Sequence, residues 1–138
     1  MAFPGGRRDP TDTTLEDTAV RETHEEVGID LRATAECLGR LHDVQAIARS
    51  KRIDLVIVPY VFVLRASVEL MVDPTEVDEA LWTPLEPMLR GDTACTHPYV
   101  YEGKPLELPA FRVGERLVWG LTHRMIDLLF DALRTAER

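Results

Sequence analysis

Apolar residues recur at steps of three and four along Leu15, Ala19, Val20, Thr23 and Val27, with polar residues filling the other positions. That period belongs to an amphipathic helix with one inward face. Thr14 reads as its N-cap, with Asp17 closing a shortened capping box. Gly28 stands where a left-handed residue ends a helix. The predicted helix is therefore Leu15–Val27, preceded by a loop over Met1–Thr13 rich in turn residues (Pro4, Gly5, Gly6, Asp9, Pro10).

Beyond it the pattern changes. Cys37–Leu41 reads as a short strand, and Asp43–Arg52 as a polar, mobile stretch. Ile53–Leu64 is continuously apolar and rich in β-branched residues, which predicts a strand covered on both faces. Pro59 inside it demands an edge position, a bulge or a break. Val68–Val72 is a partner strand, Asp73-Pro74-Thr75 a turn into a helical turn or loop at Glu76–Glu79, and Leu81–Leu85 a further strand with Trp82 as a large packing residue. Glu102-Gly103 marks a hairpin between Pro98–Tyr101 and Lys104–Leu108. Leu121–Thr135 repeats the helical period through Leu121, Met125, Leu128, Leu129 and Leu133, an amphipathic face for packing on a sheet. Two separated helices among strands imply an α/β sandwich.

The first helix carries the chemistry. Glu22, Glu25 and Glu26 stack on one face, and like charges so spaced destabilise a helix by a few tenths of a kcal/mol per pair. A cation that satisfies all three restores the balance, and Mg²⁺ or Mn²⁺, with their preference for oxygen, suits better than a lysine. The rival reading is a merely solvated acidic face.

The run from Gly6 to Ile29 resembles the Nudix box, G-x5-E-x7-R-E-U-x-E-E-x-G-U with U aliphatic. Arg21-Glu22, Glu25-Glu26, Gly28 and Ile29 match it, with Thr23 in the first aliphatic place. The front half departs: six on from Gly6 stands Asp12, and eight residues separate it from Arg21. The opening Phe3-Pro4-Gly5-Gly6 with Asp9-Pro10 and Asp12 is similar to the coenzyme A pyrophosphatase branch. The resemblance implies an α/β/α sandwich with a mixed sheet. It further implies a Mg²⁺- or Mn²⁺-dependent hydrolase cleaving the diphosphate linkage of a nucleotide derivative, coenzyme A-like or another conjugate. By it Glu22, Glu25, Glu26 and the Gly6 carbonyl hold metal, and Glu25 or Glu26 doubles as base. Arg21 orients a carboxylate; Asp12, or Asp17 one turn before Arg21, is its partner. Arg7 and Arg8 are candidate substrate cations, or solvated loop residues. Glu76 leads Glu79 and Glu102 as a fourth acidic group from a distant loop. The strands and substrate motif that normally precede this loop are absent, so the resemblance implies an N-terminally shortened domain. An uncovered sheet edge would then be masked by Ile53–Leu64 or by the partner in a homodimer. The alternative is a catalytically silent binding module of the same fold.

Bulk properties narrow this further. At 138 residues, one domain spanning 1–138 with a real core is expected. Sixteen basic against twenty-four acidic residues leave −8, which disfavours nucleic-acid polymers as partners but not a small diphosphate. No apolar run reaches the roughly 18 residues of a membrane helix, and no secretory signal opens the chain, so a cytoplasmic, non-membrane protein is expected. Cys37 and Cys95 lack metal-type spacing and read as reduced thiols. His24 falls at a variable position of the box, and His42, His97 and His123 share no spacing with it. None is assigned a catalytic role.

Overall fold

The computed structural model describes residues 1–48 and 51–136. In chain order its elements are α1 (Leu15–Val27), α2 (Leu31–Thr34), β1 (Ala35–Arg40), β2 (Val44–Ala48), β3 (Lys51–Ile57), β4 (Tyr60–Leu64), α3 (Glu86–Leu89), β5 (Ala94–Tyr101), β6 (Lys104–Val113), β7 (Arg116–Trp119) and α4 (Gly120–Ala136). They fall into two compact units. One comprises Phe3–Arg40 and Tyr60–Trp82; the other Met1–Ala2, Leu41–Pro59 and Thr83–Arg138. The class is helix plus strand, as expected. Where the resemblance implied a mixed sheet, every pairing among the described residues is antiparallel, in sheets of two, two and three strands. The short connections between β5, β6 and β7 permit only that arrangement.

In the first unit α1 begins and ends where expected. Thr14 Oγ1 accepts from the Asp17 N–H at 3.1 Å, while the Asp17 carboxylate accepts from the Thr14 N–H at 2.9 Å. Gly28 ends the helix at φ 74°, a conformation that costs a residue with a Cβ about 1–2 kcal/mol. Val27, Ile29, Leu31 and Ala35 form the buried core, joined by Val20, Phe62 and Leu64. Burying Val27, Ile29 or Leu31 contributes about 1.5–3 kcal/mol each. Leu15, expected on the inner stripe, is 41% exposed, and Thr18 is buried instead. β1 pairs with β4, and Leu38 is the extra residue of a bulge between Cys37 and Gly39.

The segment Val68–Val72 is not a strand. Its neighbourhood spends backbone donors on the end of α1: the Met71 N–H donates to the Val27 carbonyl at 2.9 Å and the Asp73 N–H to the Glu26 carbonyl at 3.1 Å. Carbonyls that a helix end leaves open are thereby satisfied. Leu81–Leu85 is not a strand either, and Trp82 is 60% exposed where packing was expected. Pro84 removes a donor that a ladder would need.

The predicted strand Ile53–Leu64 breaks at Val58–Pro59 into β3 and β4, which lie in different sheets. A break was one of the options Pro59 allowed. Val56 and Val63 are exposed, so neither strand is covered on both faces; each sits in a two-stranded antiparallel sheet with an open side. In the second unit β2 lies within the stretch expected to be polar and mobile and pairs antiparallel with β3, which begins at the end of that stretch; residues 49–50 of it lie outside the described residues.

The hairpin prediction holds and extends. β5 and β6 pair from Tyr101↔Lys104 to Ala94↔Phe111, and β7 adds a third strand. Glu102 and Gly103 have φ of 47° and 77°, the double left-handed turn that suits the twist of a two-residue hairpin. Phe111 and Val118 on this sheet meet Ile126 and Phe130 of α4 and Met88 of α3, all buried. The helix expected at Leu121–Thr135 is α4. Among the described residues no helix is long and apolar enough to cross a membrane.

Candidate functional site

Asp9 and Asp12 shape the loop before α1. The Asp12 N–H donates to the Asp9 carbonyl at 3.0 Å, and the Asp9 N–H returns a bond to Asp12 Oδ2 at 2.9 Å. Thr11 donates its N–H and hydroxyl to Asp9 Oδ1. This turn aims the short Asp12 carboxylate at α1.

Arg21 meets it there. Its Nε and Nη2 donate to Asp12 Oδ1 and Oδ2 at 3.0 and 2.9 Å, a bidentate pair. Nη1 donates to Glu22 Oε1 and Glu25 Oε2, both at 3.0 Å, and Nη2 also reaches the Arg7 carbonyl at 3.1 Å. All five N–H groups are thus committed. Asp12 is therefore the partner of Arg21. Asp17, the other option, bonds Thr14 and pairs with Arg32. Hydrogen bonds from Arg21, the Asp9 N–H and the Thr18 hydroxyl hold the Asp12 carboxyl far below the usual carboxylate range. Its bond to Asp12 raises Arg21 in turn, so the guanidinium is a permanent cation.

The glycine loop closes on the glutamates. A Cβ on Gly6 would lie 2.2 Å from Glu22 Oε1, so any larger residue there would displace the Glu22 carboxylate. The Gly5 N–H donates to Glu26 Oε1 at 3.4 Å. Partial burial raises the Glu26 carboxyl above its ordinary value, and the charges of Glu22, Glu76 and Glu25 push the same way, against a lowering by the Gly5 N–H. Glu76 is hence electrostatically coupled to the glutamate helix. The Asp73 turn, with Thr75 bonded to Asp73 Oδ1, leads into it.

Other candidates are placed differently. The Arg8 guanidinium donates to the carbonyls of Asp12 and Thr13, a job in holding the loop together. Arg7 is exposed and lends its carbonyl to Arg21. Glu102 occupies the β5–β6 turn in the other unit. His123 is buried, stacks on Phe111 at 4.5 Å and pairs through Nδ1 with Asp127 at 3.2 Å.

Two contributors escaped the sequence reading. Thr18 donates to Asp12 Oδ2 at 2.9 Å. Its position three residues before Arg21, on the same helix face, was the available signal. Met71 packs on Gly28, where a Cβ would come within 2.8 Å of Met71 Cβ, and nothing local in the sequence signals that contact.

As donors, Glu22, Glu25, Glu26 and the Gly6 carbonyl are all hard oxygens, the set that Mg²⁺ or Mn²⁺ takes. Against one guanidinium stand five carboxylates (Asp12, Glu22, Glu25, Glu26 and Glu76), and the charges of Glu22, Glu76 and Glu25 add to the burial that raises Glu26. The chemistry of the residues fits a dication. Among the described residues, however, no three acidic, His or Cys side chains converge on one point. Glu25 is drawn instead onto Arg21.

A family model described as the NUDIX domain matches residues 1–102. An uncharacterised protein of Schizosaccharomyces pombe is 40% identical over 91 residues, covering 64% of this chain and 28% of its own length. Nudix hydrolase 3 of Caenorhabditis elegans is 36% identical over 91 residues, 65% of this chain and 36% of its own. A peroxisomal coenzyme A diphosphatase of Mus musculus is 31% identical over 110 residues, 77% of this chain and 39% of its own. The chain spans about a third of the length of these relatives.

Proposed function

The chain belongs to the NUDIX domain family, and from that premise we propose a metal-dependent hydrolase that cleaves the diphosphate linkage of a nucleotide derivative. The observation that carries this reading is the surplus of carboxylate oxygen that Arg21 leaves uncompensated on α1. Glu22, Glu25, Glu26 and the Gly6 carbonyl would hold Mg²⁺ or Mn²⁺. When bound, the ion supplies charge for the phosphoryl oxygens and acidifies water. Glu25 or Glu26 would take a proton from that water. Arg21 fixes Glu22 and Glu25 from behind and is itself fixed by Asp12; with all five N–H groups used, it positions carboxylates and does not bind substrate. Arg7 remains the candidate cation for a substrate phosphate, and Glu76 a further acidic group beside Glu26. A coenzyme A-like diphosphate leads as substrate, supported by the mouse relative's name and the Phe3–Gly6 opening.

One observation favours a second reading, a silent nucleotide-binding module: the three glutamates do not converge among the described residues. A hydrolysis screen over nucleotide diphosphates in Mg²⁺ and Mn²⁺, run beside Glu25→Gln and Glu26→Gln, separates the two. The expected result is metal-dependent turnover that falls at least about a hundredfold in the variants. Turnover indifferent to both changes would sink the assigned roles, and bound metal without turnover would favour the silent module.

A further inference from the structure

The sheet β5–β6–β7 presents a second cluster of polar and aromatic side chains, on the face opposite α4. Directly opposed residues of an antiparallel ladder share a face. Phe111 and Val118 oppose each other and pack on α4, so the alternate rows turn the other way. In one such row Arg112 opposes Leu117, and its N–H donates to the Thr93 carbonyl at 2.8 Å. The next row is Cys95, Ala110 and Trp119. Further along, the His97 ring stacks on Trp119 at 4.3 Å, and Tyr99 tilts against the same indole at 5.9 Å.

A cavity of about 290 Å³ lies at the first row, lined by Arg112, Thr93, Cys95, Gly114 and Asp92 among others. Asp92 is already taken by Arg90 at 2.6 Å. Among the described residues the Arg112 guanidinium has no side-chain partner. Thr93 Oγ1 is buried there without a hydrogen bond. An uncommitted fork of donors beside an unsatisfied hydroxyl is a seat for an oxyanion. One row away, about 7 Å along the strand, Trp119 stays 38% exposed while His97 and Tyr99 hold its ring in place. A cation and a fixed aromatic ring on neighbouring rows of one face suit a ligand with a planar base at one end and a phosphate at the other, bridged by a ribose.

We infer that this sheet face binds a nucleoside phosphate, base against Trp119 and phosphate at Arg112. The inference does not depend on hydrolysis at the glutamate helix. Its test is calorimetric titration of adenosine monophosphate, adenosine and inorganic phosphate into the full chain, without metal and carrying Glu26→Gln so that turnover cannot intrude. Expected is binding of the monophosphate that weakens at least about tenfold in Arg112→Ala, with adenosine unaffected by that change. Trp119→Leu should weaken the monophosphate and adenosine alike. An unchanged monophosphate affinity in folded Arg112→Ala would overturn the site, as would absence of binding at millimolar concentration. Phosphate binding without any gain from the base would overturn the aromatic half. Turnover retained in the screen above, alongside any of these failures, would sink this inference alone.

Discussion

The loop and helix from Gly5 to Gly28 and the sheet-and-helix layer of β6, β7 and α4 are held together by opposite means. In the first, cohesion is directional: Arg21 commits five donors to named oxygens, the Asp12 carboxylate accepts from three different residues, and Gly28 is specified by its left-handed φ and by the Met71 segment it touches. In the second, Phe111, Val118, Ile126 and Phe130 fill a common space, and most of the free energy follows from apolar area removed from water. Volume errors should therefore damage the layer, and errors of charge or backbone conformation the loop. The proposed hydrolytic site belongs with the directional region, because a positioned carboxylate is useful only if its geometry is fixed.

The largest expected effect tests the apolar side. Phe130 is 2% exposed and meets the Phe111 ring edge-on at 6.1 Å. Phe130→Ala should cost about 3–5 kcal/mol, read as a fall in urea midpoint. If the two regions are as different as they look, kcat/KM per folded molecule stays near wild type below the transition. A comparable loss of kcat/KM in folded protein would break the contrast.

Asp12→Asn probes the other side. Asn keeps the size but not the charge, and it cannot accept from Arg21 at both oxygens. Because Asp12 acts on Glu22 and Glu25 only through Arg21, about a ten- to hundredfold loss in metal-dependent kcat/KM is expected. A pH series sharpens this. The folded Asp12 carboxyl titrates below its unfolded value of about 3.9. Its contribution is thus complete above roughly pH 4 and is lost as pH falls through the lower, folded value. Stability of the variant should change less than wild type between neutral and strongly acid pH. Asp9, Asp17 and Asp73, also lowered, leave a residual slope. Equal slopes in variant and wild type would remove Asp12 from the acid response.

Legibility in the sequence followed the same divide. The ends of α1 were readable because Thr14, Asp17 and Gly28 act within one turn of themselves, and the Glu102-Gly103 turn was readable for the same reason. Asp12 was a candidate for Arg21, but the decision lay in the Asp9 turn that aims its carboxylate, a backbone conformation that no spacing rule specifies. The strands misread at Val68–Val72 and Leu81–Leu85 have strand composition. At Met71 and Asp73 the chain found non-local partners, the last carbonyls of α1, that compete for the donors a ladder would use. The break at Pro59 was visible as an interruption; that its halves join different sheets was not.

Gly28→Ala is the next step down and separates backbone from side chain. The left-handed φ of 74° alone costs about 1–2 kcal/mol. The new Cβ would also come within 2.8 Å of Met71 Cβ and 3.0 Å of its carbonyl oxygen, so the segment that caps α1 must shift. Since that segment leads to Glu76, metal-dependent activity should fall along with the melting temperature. A purely thermal defect would mean that the segment ending at Asp73 does not position Glu76.

Thr14→Ala carries the smallest effect and asks how local the directional region is. Removing an N-cap hydroxyl costs about 1 kcal/mol, and here it also strips Asp17 of the bond from Thr14 Oγ1 while leaving the one from the Thr14 N–H. The Asp17 carboxyl, lowered chiefly by Thr14, should move back toward its ordinary value, a change that NMR titration reads directly. Arg21, two turns further along α1, keeps all five acceptors, because Thr14 supplies none of them. Lower stability with unaltered kcat/KM is therefore expected. If activity fell as far as in Asp12→Asn, the helix start and the carboxylate cluster would be one cooperative unit, and the network around Arg21 would owe its geometry to the cap as much as to Asp12.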